Sequence, residues 1–288
     1  MTAIYKRELK SYFQSMIGCV FVAFLVAFTG IYFTAYNLNA GYPYFCYTLS
    51  GCMIVFIVGI PLITMKSFSE ERKNRTDQLL FTAPVSLVKV VLGKYLAMVT
   101  VVAIPNLIFC IFPLLIKLNG MAFLRIDYIS IFVFFLLGCV YISIGMFLSA
   151  LTESQIIAYI STFGVLLIIY LWEGILGFFP TSAFGSMIGL LVVLSVCVFV
   201  VWQITSNWVI AAGLEGISVA ACLITYFVKP ELFENLLTKL FGKLALTDVF
   251  ENIVSGSIVD VSGIVLYLSV IAVFVFLTVQ AIQKRRWS

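Results

Sequence analysis

The chain has 288 residues, of which 63% are hydrophobic and 10% charged, with a formal net charge of +4 and no histidine. The absence of histidine excludes H-E-x-x-H metalloproteases, Ser-His intramembrane proteases and histidine-ligated haem. Apolar runs of about 20 residues, the length that crosses the hydrocarbon core of a bilayer, recur along most of the sequence. We therefore predict an all-α fold, a polytopic transmembrane helical bundle. A closed barrel would need strands with alternating polar and apolar residues, and the sequence has no such alternation.

Eight apolar stretches are predicted to span the membrane. They cover residues 17–36, 44–65, 88–118, 129–151, 156–179, 183–204, 208–228 and 262–282. The first follows the basic residues Lys6, Arg7 and Lys10, but it is too long for the core of a signal peptide, so we expect it to be retained. Pro105 and Pro113 lie in the third run and are predicted to kink it, or to divide it into a helix and a re-entrant piece.

Charge in the first half of the chain is concentrated in residues 65–94. Ser67 and Glu70 have the spacing of a capping box, in which each side chain satisfies a backbone amide of the other. Glu71 and Arg75 lie four residues apart, which favours an ion pair on a helix. A short amphipathic helix is therefore predicted in this charged segment.

Pro84 predicts where this helix ends. Proline removes a backbone hydrogen bond inside a helix and pushes the residue before it toward an extended conformation. The helix should therefore stop near Thr82, and Ser86 is placed to cap a second helix that leads back into apolar sequence. Together the two helices predict a helical elbow at a membrane surface.

The distribution of basic residues predicts the orientation of the chain. With eight spans, twelve of the 17 Lys and Arg residues lie on one side of the membrane, including those at both termini and in the charged segment. The positive-inside rule assigns this side to the cytoplasm. Residues 229–260 then lie outside, and the apolar spacing that follows Pro230 predicts a helix. This segment fits an interfacial or re-entrant element and a simple cap on the bundle equally well.

Two carboxylates lie within apolar runs, Glu173 and Glu215. A charge near the middle of a bilayer costs roughly 2.5 to 3.5 kcal/mol on insertion scales, so such residues normally face a cavity or a partner. Glu173 lies toward the outer end of its span. Glu215 is nearer the middle, and glycines on both sides of it permit either a close helix approach or an opening. A proton or substrate site and a hydrogen-bonded structural acid both remain open as interpretations.

We predict no catalytic, cofactor or metal site in this chain, and no nucleic-acid partner. A P-loop needs glycines whose amides cradle phosphate, but Gly93 and Lys94 are followed by Tyr95 and lack the earlier glycine. The seven cysteines are scattered and form no C-x-x-C pair. They are expected to be free thiols that pack as small hydrophobic residues.

Several stretches of the sequence resemble a known family. MKSFSEERKNRTDQLLFTAPVS at residues 65–86, with VLGKY at 91–95, resembles the signature of type-2 ABC exporter permeases. The closest likeness is to the branch that serves gliding motility and nitrous-oxide-reductase maturation. LTESQI at residues 151–156 resembles a short cytoplasmic turn of that branch. Residues 250–260, Tyr267 and the terminal KRRW resemble its C-terminal end.

The resemblance implies a membrane permease subunit of an ATP-driven exporter in a bacterial cytoplasmic membrane, and not an enzyme. A separate ABC ATPase subunit would bind ATP and Mg²⁺, and a second permease copy or a paralogue would complete the transporter in membrane lipid. Residues 1–288 would form a single permease domain, with an amphipathic connecting helix at 2–15 and a cytoplasmic coupling elbow at 66–87. The segment 183–228 is an apparent extra helix pair, because the branch usually has six spans.

The resemblance also assigns roles to individual residues. The predicted ATPase-coupling contacts are Ser67, Glu70, Glu71, Arg72, Arg75 and Glu153. Without the resemblance, these charges fit a solvated loop that obeys the positive-inside rule. Two other functions remain open at this stage, namely a stand-alone secondary transporter or channel that uses Glu215, and a non-transporting membrane scaffold.

Overall fold

The computed structural model describes residues 1–76, 86–205, 207–243, 245–256 and 261–287. The regular elements of these ranges are helices. Fourteen α-helices, numbered here in chain order, are α1 Thr2–Gln14, α2 Ile17–Phe33, α3 Cys46–Thr64, α4 Lys66–Lys73, α5 Leu87–Phe109, α6 Phe112–Asn119, α7 Leu124–Leu151, α8 Gln155–Tyr170, α9 Trp172–Leu176, α10 Ala183–Thr205, α11 Trp208–Val228, α12 Leu236–Gly242, α13 Asp248–Gly256 and α14 Val261–Trp287. A π-helical turn, Thr34–Asn39, extends α2, and a 3₁₀ turn, Pro230–Phe233, precedes α12.

Six helices in the described part of the chain are long and apolar enough to cross a membrane. They are Ile17–Asn39, Cys46–Lys73, Leu87–Asn119, Leu124–Leu151, Ala183–Gln203 and Val261–Arg285. This confirms the predicted polytopic helical bundle. The other two predicted spans also form apolar helices, but α8 is shorter, and α11 forms a pair with the segment Pro230–Gly242 that is bent by 119°. Of the predicted extra pair, α10 is therefore a candidate span by itself, and α11 is one only together with Pro230–Gly242.

The chain divides into two compact units. The first contains residues 1–170 and 246–288, and the second contains residues 171–245. Helix α7 is central to the first unit, where it packs against α3, α5, α8 and α14. Glycine permits this close packing, because a Cβ at Gly138 would lie 2.7 Å from the Phe56 ring, and one at Gly145 would lie 2.5 Å from Thr64 Oγ1.

The second span continues directly into the charged segment. Met65, between α3 and α4, has helical backbone angles of −55° and −33°. The sequence contains no glycine or proline between Pro61 and Pro84, so nothing local interrupts the helix where the polar residues begin. Helix α4 is thus a polar extension of α3, with no break ahead of Ser67.

Two local predictions in this segment are wrong, one at each end of α4. The capping box does not form, because Ser67 lies inside the helix and makes no capping hydrogen bond. The ion pair between Glu71 and Arg75 does not form, because α4 ends at Lys73 and Arg75 has a left-handed φ of 54°. The predicted end near Thr82 lies outside the described residues.

Of the two alternatives predicted for the third apolar run, the structure fits the kink and not the division into a helix and a re-entrant piece. The break lies at Cys110, between α5 and α6, and the two helices together count as one candidate span of 33 residues. Pro105 lies inside α5, and Pro113 lies in the first turn of α6, where its missing amide costs no hydrogen bond. Ser86 occupies the predicted N-cap position of α5 with extended backbone, but its side chain makes no capping hydrogen bond.

The second unit consists of the α10–α11 hairpin and the short elements around it. Pro230 occupies an early position of its 3₁₀ turn, as predicted. The continuous helix predicted after it is wrong, because Asn235 adopts a φ of 56° and separates this turn from α12. Phe233 and Leu237, one from each piece, are buried in the small core of this unit. Trp172 Nε1 donates to Phe241 O at 3.0 Å and closes α9 onto α12.

Candidate functional site

Lys94 is a buried cation near the start of α5. Only 2% of its side chain is exposed, and its ammonium group lies 2.9 Å from Glu71 Oε1 and 3.4 Å from Glu8 Oε1. The same group donates to Ser67 O at 2.6 Å and lies 5.0 Å from the centre of the Phe68 ring. A buried ammonium is stable only when it is paired and hydrogen-bonded, and these contacts satisfy that requirement.

Arg7 completes a four-residue cluster with the same two acids. Its guanidinium donates to Glu8 Oε1 at 2.6 Å and to Glu71 Oε1 at 3.0 Å. The hydrogen bond with Glu8 and the charges of Glu8 and Glu71 raise the pKa of Arg7. Each acid therefore faces both bases, and the cluster of two acids and two bases is neutral. Because Arg7 and Glu8 lie on α1, Glu71 on α4 and Lys94 on α5, the cluster links three helices.

Helix α1 is fixed on the bundle at further points along its length. Gly93, next to Lys94, allows a close approach, because a Cβ there would lie 3.2 Å from Ile4 Cγ2. Tyr5 and Thr100 share a hydrogen bond of 3.0 Å between their hydroxyl groups. At the other end of α1, the buried Tyr12 hydroxyl donates to Ile63 O at 3.1 Å. Burial raises the pKa of Tyr12, with smaller effects from Glu8 and two other acids, so the hydroxyl keeps the proton that this bond needs.

Ser149, near the end of α7, holds the start of α4. Its hydroxyl oxygen lies 3.3 Å from the amides of both Phe68 and Ser69, which donate to it, and the hydroxyl donates to Met65 O at 3.1 Å. Ser69 also donates to Met65 O. One serine side chain thus serves three backbone groups at the junction of α3 and α4, and couples this junction to the central helix.

A second, weaker polar site surrounds the turn between α7 and α8. Arg72 of α4 donates to Thr152 O at 3.4 Å. Arg285 of α14 donates to Leu151 O at 3.1 Å and lies 3.8 Å from Glu153 Oε1. Glu153 is 76% exposed, so this long ion pair is well solvated. The turn therefore joins the end of α14 to the same surface as α4.

The residues predicted to contact the ATPase differ in how exposed their side chains are. Ser67 is buried, and the Glu71 side chain is 18% exposed and turned toward Lys94, so both face the interior of the first unit. Glu70 is half-buried and enters none of the ion pairs found among the described residues. Arg75 is exposed beyond the end of α4, and Glu153 is exposed on the neighbouring turn.

The two intramembrane acids lie in the second unit but are not brought together. Glu173 is exposed on the short helix α9. Glu215 is partly buried on α11, where it accepts a hydrogen bond of 2.5 Å from Ser195 of α10. A Cβ at Gly213 or Gly216 would meet nothing within 4 Å. No neighbour among the described residues therefore packs closely on either glycine.

Four residues of this region escaped the sequence reasoning. Arg7, Glu8 and Ser149 carry no local signal, because their partners come from distant parts of the chain. Lys94 does carry one, since it is a lysine followed by more than twenty uncharged residues.

The other end of the first unit holds a further missed acid, Asp127. It is fully buried in the first turn of α7 and accepts a hydrogen bond of 2.8 Å from the amide of Phe45, which precedes α3. The sequence did contain a signal for Asp127, because it is an acid at the start of a long apolar helix. Its negative charge is favourable at the N-terminus of α3.

The chain was compared with known protein families, curated proteins and solved structures. A family model described as "ABC-2 family transporter protein" matches residues 3–283. No curated protein and no solved structure matches significantly. The family match includes the charged segment, the Lys94 cluster and the α10–α11 hairpin.

Proposed function

The chain belongs to the ABC-2 transporter family, and from that premise we propose that it couples ATP hydrolysis by a separate ABC ATPase subunit to export across a bacterial cytoplasmic membrane. As a member of this family it is a multi-pass membrane permease subunit. Within the family, the motifs at residues 65–95 and 151–156 favour the gliding-motility and nitrous-oxide-reductase-maturation branch. Both termini and α4 would then face the cytoplasm, as the distribution of Lys and Arg also indicates.

The observation that carries the coupling role is the Lys94 cluster. A movement applied to α4 changes the position of Glu71. The ion-pair partners of Glu71 are Arg7 on α1 and Lys94 on α5, so both helices would respond to this movement. Because α4 is also continuous with α3 and hydrogen-bonded to Ser149 of α7, it has a direct connection to three candidate spans. An ATPase that moves α4 would therefore shift several spans together and favour either an inward or an outward opening.

The same geometry divides the predicted contacts into two roles. Arg75 and Glu153 are exposed and are available to a docked ATPase, with Glu70 and Arg72 at the edge of that surface. Ser67 and Glu71 lie behind this surface and would transmit the movement to the bundle. A second permease copy or a paralogue would pair with this chain in the complete transporter.

Co-purification tests the ATPase partner. The chain is extracted from its native host in mild detergent, and the associated P-loop protein and its ATPase activity are measured for the wild type, Arg75→Glu and Lys117→Glu. Lys117 is an exposed lysine in α6, on the predicted outer side, and serves as the control. We expect Arg75→Glu to lose most of the bound ATPase and Lys117→Glu to retain it.

Other outcomes favour the alternative functions. If no P-loop protein co-purifies with the wild type, the proposal of an ATPase partner is wrong. Transport that continues without ATP and is lost in Glu215→Gln would instead identify a secondary transporter. A complex that assembles with an ATPase but never turns over ATP would identify a scaffold.

A further inference from the structure

The second unit contains a pocket of about 340 Å³ between α10 and α11. Its polar groups are Ser195 and Glu215, its aromatic groups are Phe199, Trp202 and Trp208, and two aliphatic side chains complete the lining. The pocket combines one acid with an aromatic wall, and the Lys94 cluster has no part in it.

Glu215 lacks a counter-charge from its own helices. The sequence has no lysine, arginine or histidine between Arg125 and Lys229, so neither α10 nor α11 supplies a base along its length. Lys229 follows Glu215 by 14 residues, which is about 21 Å along a helix. A carboxylate among apolar helices requires a proton, a cation or a polar partner, and α10 and α11 supply no cation for Glu215.

Ser195 satisfies only part of that requirement. Its hydroxyl oxygen lies 2.9 Å from Leu191 O and 2.5 Å from Glu215 Oε1. A serine hydroxyl has a single proton and cannot donate fully to both acceptors. Glu215 therefore shares the one donor found for it among the described residues with a backbone carbonyl, and it has capacity for a further positive group.

The aromatic side chains suit a positive group with an organic substituent. The rings of Phe199 and Trp202 lie 5.6 Å apart at an interplanar angle of 60°, so they present faces in different directions. Aromatic faces attract ammonium groups through their quadrupoles, and tryptophan does so most strongly. We propose that this pocket binds an organic ammonium group, primary or quaternary, with Glu215 as its counter-ion and Phe199, Trp202 and Trp208 as its aromatic wall.

Two sources could supply this group, a lipid head group and a free amine. Trp208 is 74% exposed and begins α11, and tryptophan is typical of the membrane interface. Glu215 follows it by seven residues, about 10 Å along the helix. The pocket therefore extends inward from the depth of the head groups, which both sources can reach.

Equilibrium binding to the purified full-length chain tests the proposal. The probes are labelled choline, labelled ethanolamine, and the neutral isostere of choline in which a tert-butyl group replaces the trimethylammonium group. We expect saturable binding of at least one ammonium probe, and little competition from the neutral isostere. Glu215→Gln should weaken binding by about tenfold or more, because it removes the charge and keeps the size of the side chain. Glu173→Gln, at the exposed acid of the same unit, should bind as the wild type does.

The two sources are separated by repeating the measurement in lipid nanodiscs. If labelled choline binds in phosphatidylglycerol discs but not in phosphatidylcholine discs, the phosphatidylcholine head group occupies the pocket. Equal binding in both kinds of disc indicates a free amine. If Glu215→Gln is not monodisperse, Trp202→Leu provides the same test through the aromatic wall.

Three results would overturn the proposal. They are the absence of saturable binding of both ammonium probes, equal competition by the neutral isostere, and wild-type affinity in a folded Glu215→Gln or Trp202→Leu variant. The measurement uses the permease without an ATPase. A result that overturns the ammonium site would therefore not contradict the coupling role of α4.

Discussion

Each unit of this protein contains a partly buried carboxylate, and the two carboxylates have different partners. In the first unit, Glu71 lies within 3.0 Å of both Arg7 and Lys94, which come from two other helices. In the second, the partner of Glu215 is Ser195, which also faces a backbone carbonyl. An acid whose charge is balanced within the chain can connect helices, whereas one without a basic partner on its own helices is suited to an exchangeable ligand.

Removing Lys94 should reduce this difference and have the largest effect. In Lys94→Met, Glu8 and Glu71 lose their buried partner, and the two acids then share Arg7 as their one remaining base in the cluster. Breaking a buried pair from one side costs about 3–5 kcal/mol. We expect a strong fall in thermal stability in detergent and in the yield of monodisperse protein, and loss of coupling in whatever protein remains. Lys89→Met, at an exposed lysine of the same helix, is the control and should behave as the wild type. Equal stability of the two variants would show that the cluster does not hold the helices together.

Glycine substitutions compare the packing of the two units. A Cβ at Gly145 would lie 2.5 Å from Thr64 Oγ1 and 2.9 Å from Thr162 Cγ2. Gly145→Ala should therefore destabilise the first unit by about 1–3 kcal/mol through overpacking. Gly213→Ala has open space and should be neutral, or stabilising by up to about 1 kcal/mol through helix propensity. Thermal unfolding of both variants is the measurement, and the comparison fails if Gly213→Ala is the more damaging.

Ser149 tests how firmly α4 is attached to the central helix. Ser149→Ala leaves two amides at the junction without their side-chain partner, whereas Met65 O keeps the hydroxyl of Ser69. A cost of about 1–3 kcal/mol is expected for unsatisfied buried groups. Hydrogen exchange should show faster opening of α4, with α10 and α11 unchanged. The control is Ser269→Ala, because Ser269 is exposed and bonds only within its own helix in the contacts found. Unchanged protection of α4 would contradict the role of Ser149.

Glu153 should give the smallest effect on stability. It is 76% exposed, and its ion pair with Arg285 is 3.8 Å long, so Glu153→Gln should change stability by less than about 1 kcal/mol. If Glu153 contacts the ATPase, the same variant should weaken co-purification of that subunit. A large loss of stability with normal ATPase binding would show instead that Glu153 stabilises the fold and does not contact the ATPase.

The sequence predicts the helices of this protein well, but it does not predict how they meet. Apolar runs identify the spans because a bilayer requires them, whatever the packing. The break at Cys110 also had a local signal, because Pro105 and Pro113 lie on either side of it. The capping box at Ser67 had the right pattern and still failed, because α3 continues through Met65 without a break. Local motifs cannot show that a preceding helix extends into them.

By itself, the sequence determined the membrane class, the charged segment, and the absence of any basic residue between Arg125 and Lys229. It also determined that Glu215 would need a partner. Only the tertiary structure decided which charges meet. Arg7 and Glu71 are 64 positions apart, and Ser149 and Phe68 are 81 apart. Such pairs depend on where helices cross, and crossing points follow from side-chain packing along whole helices, which no local pattern records.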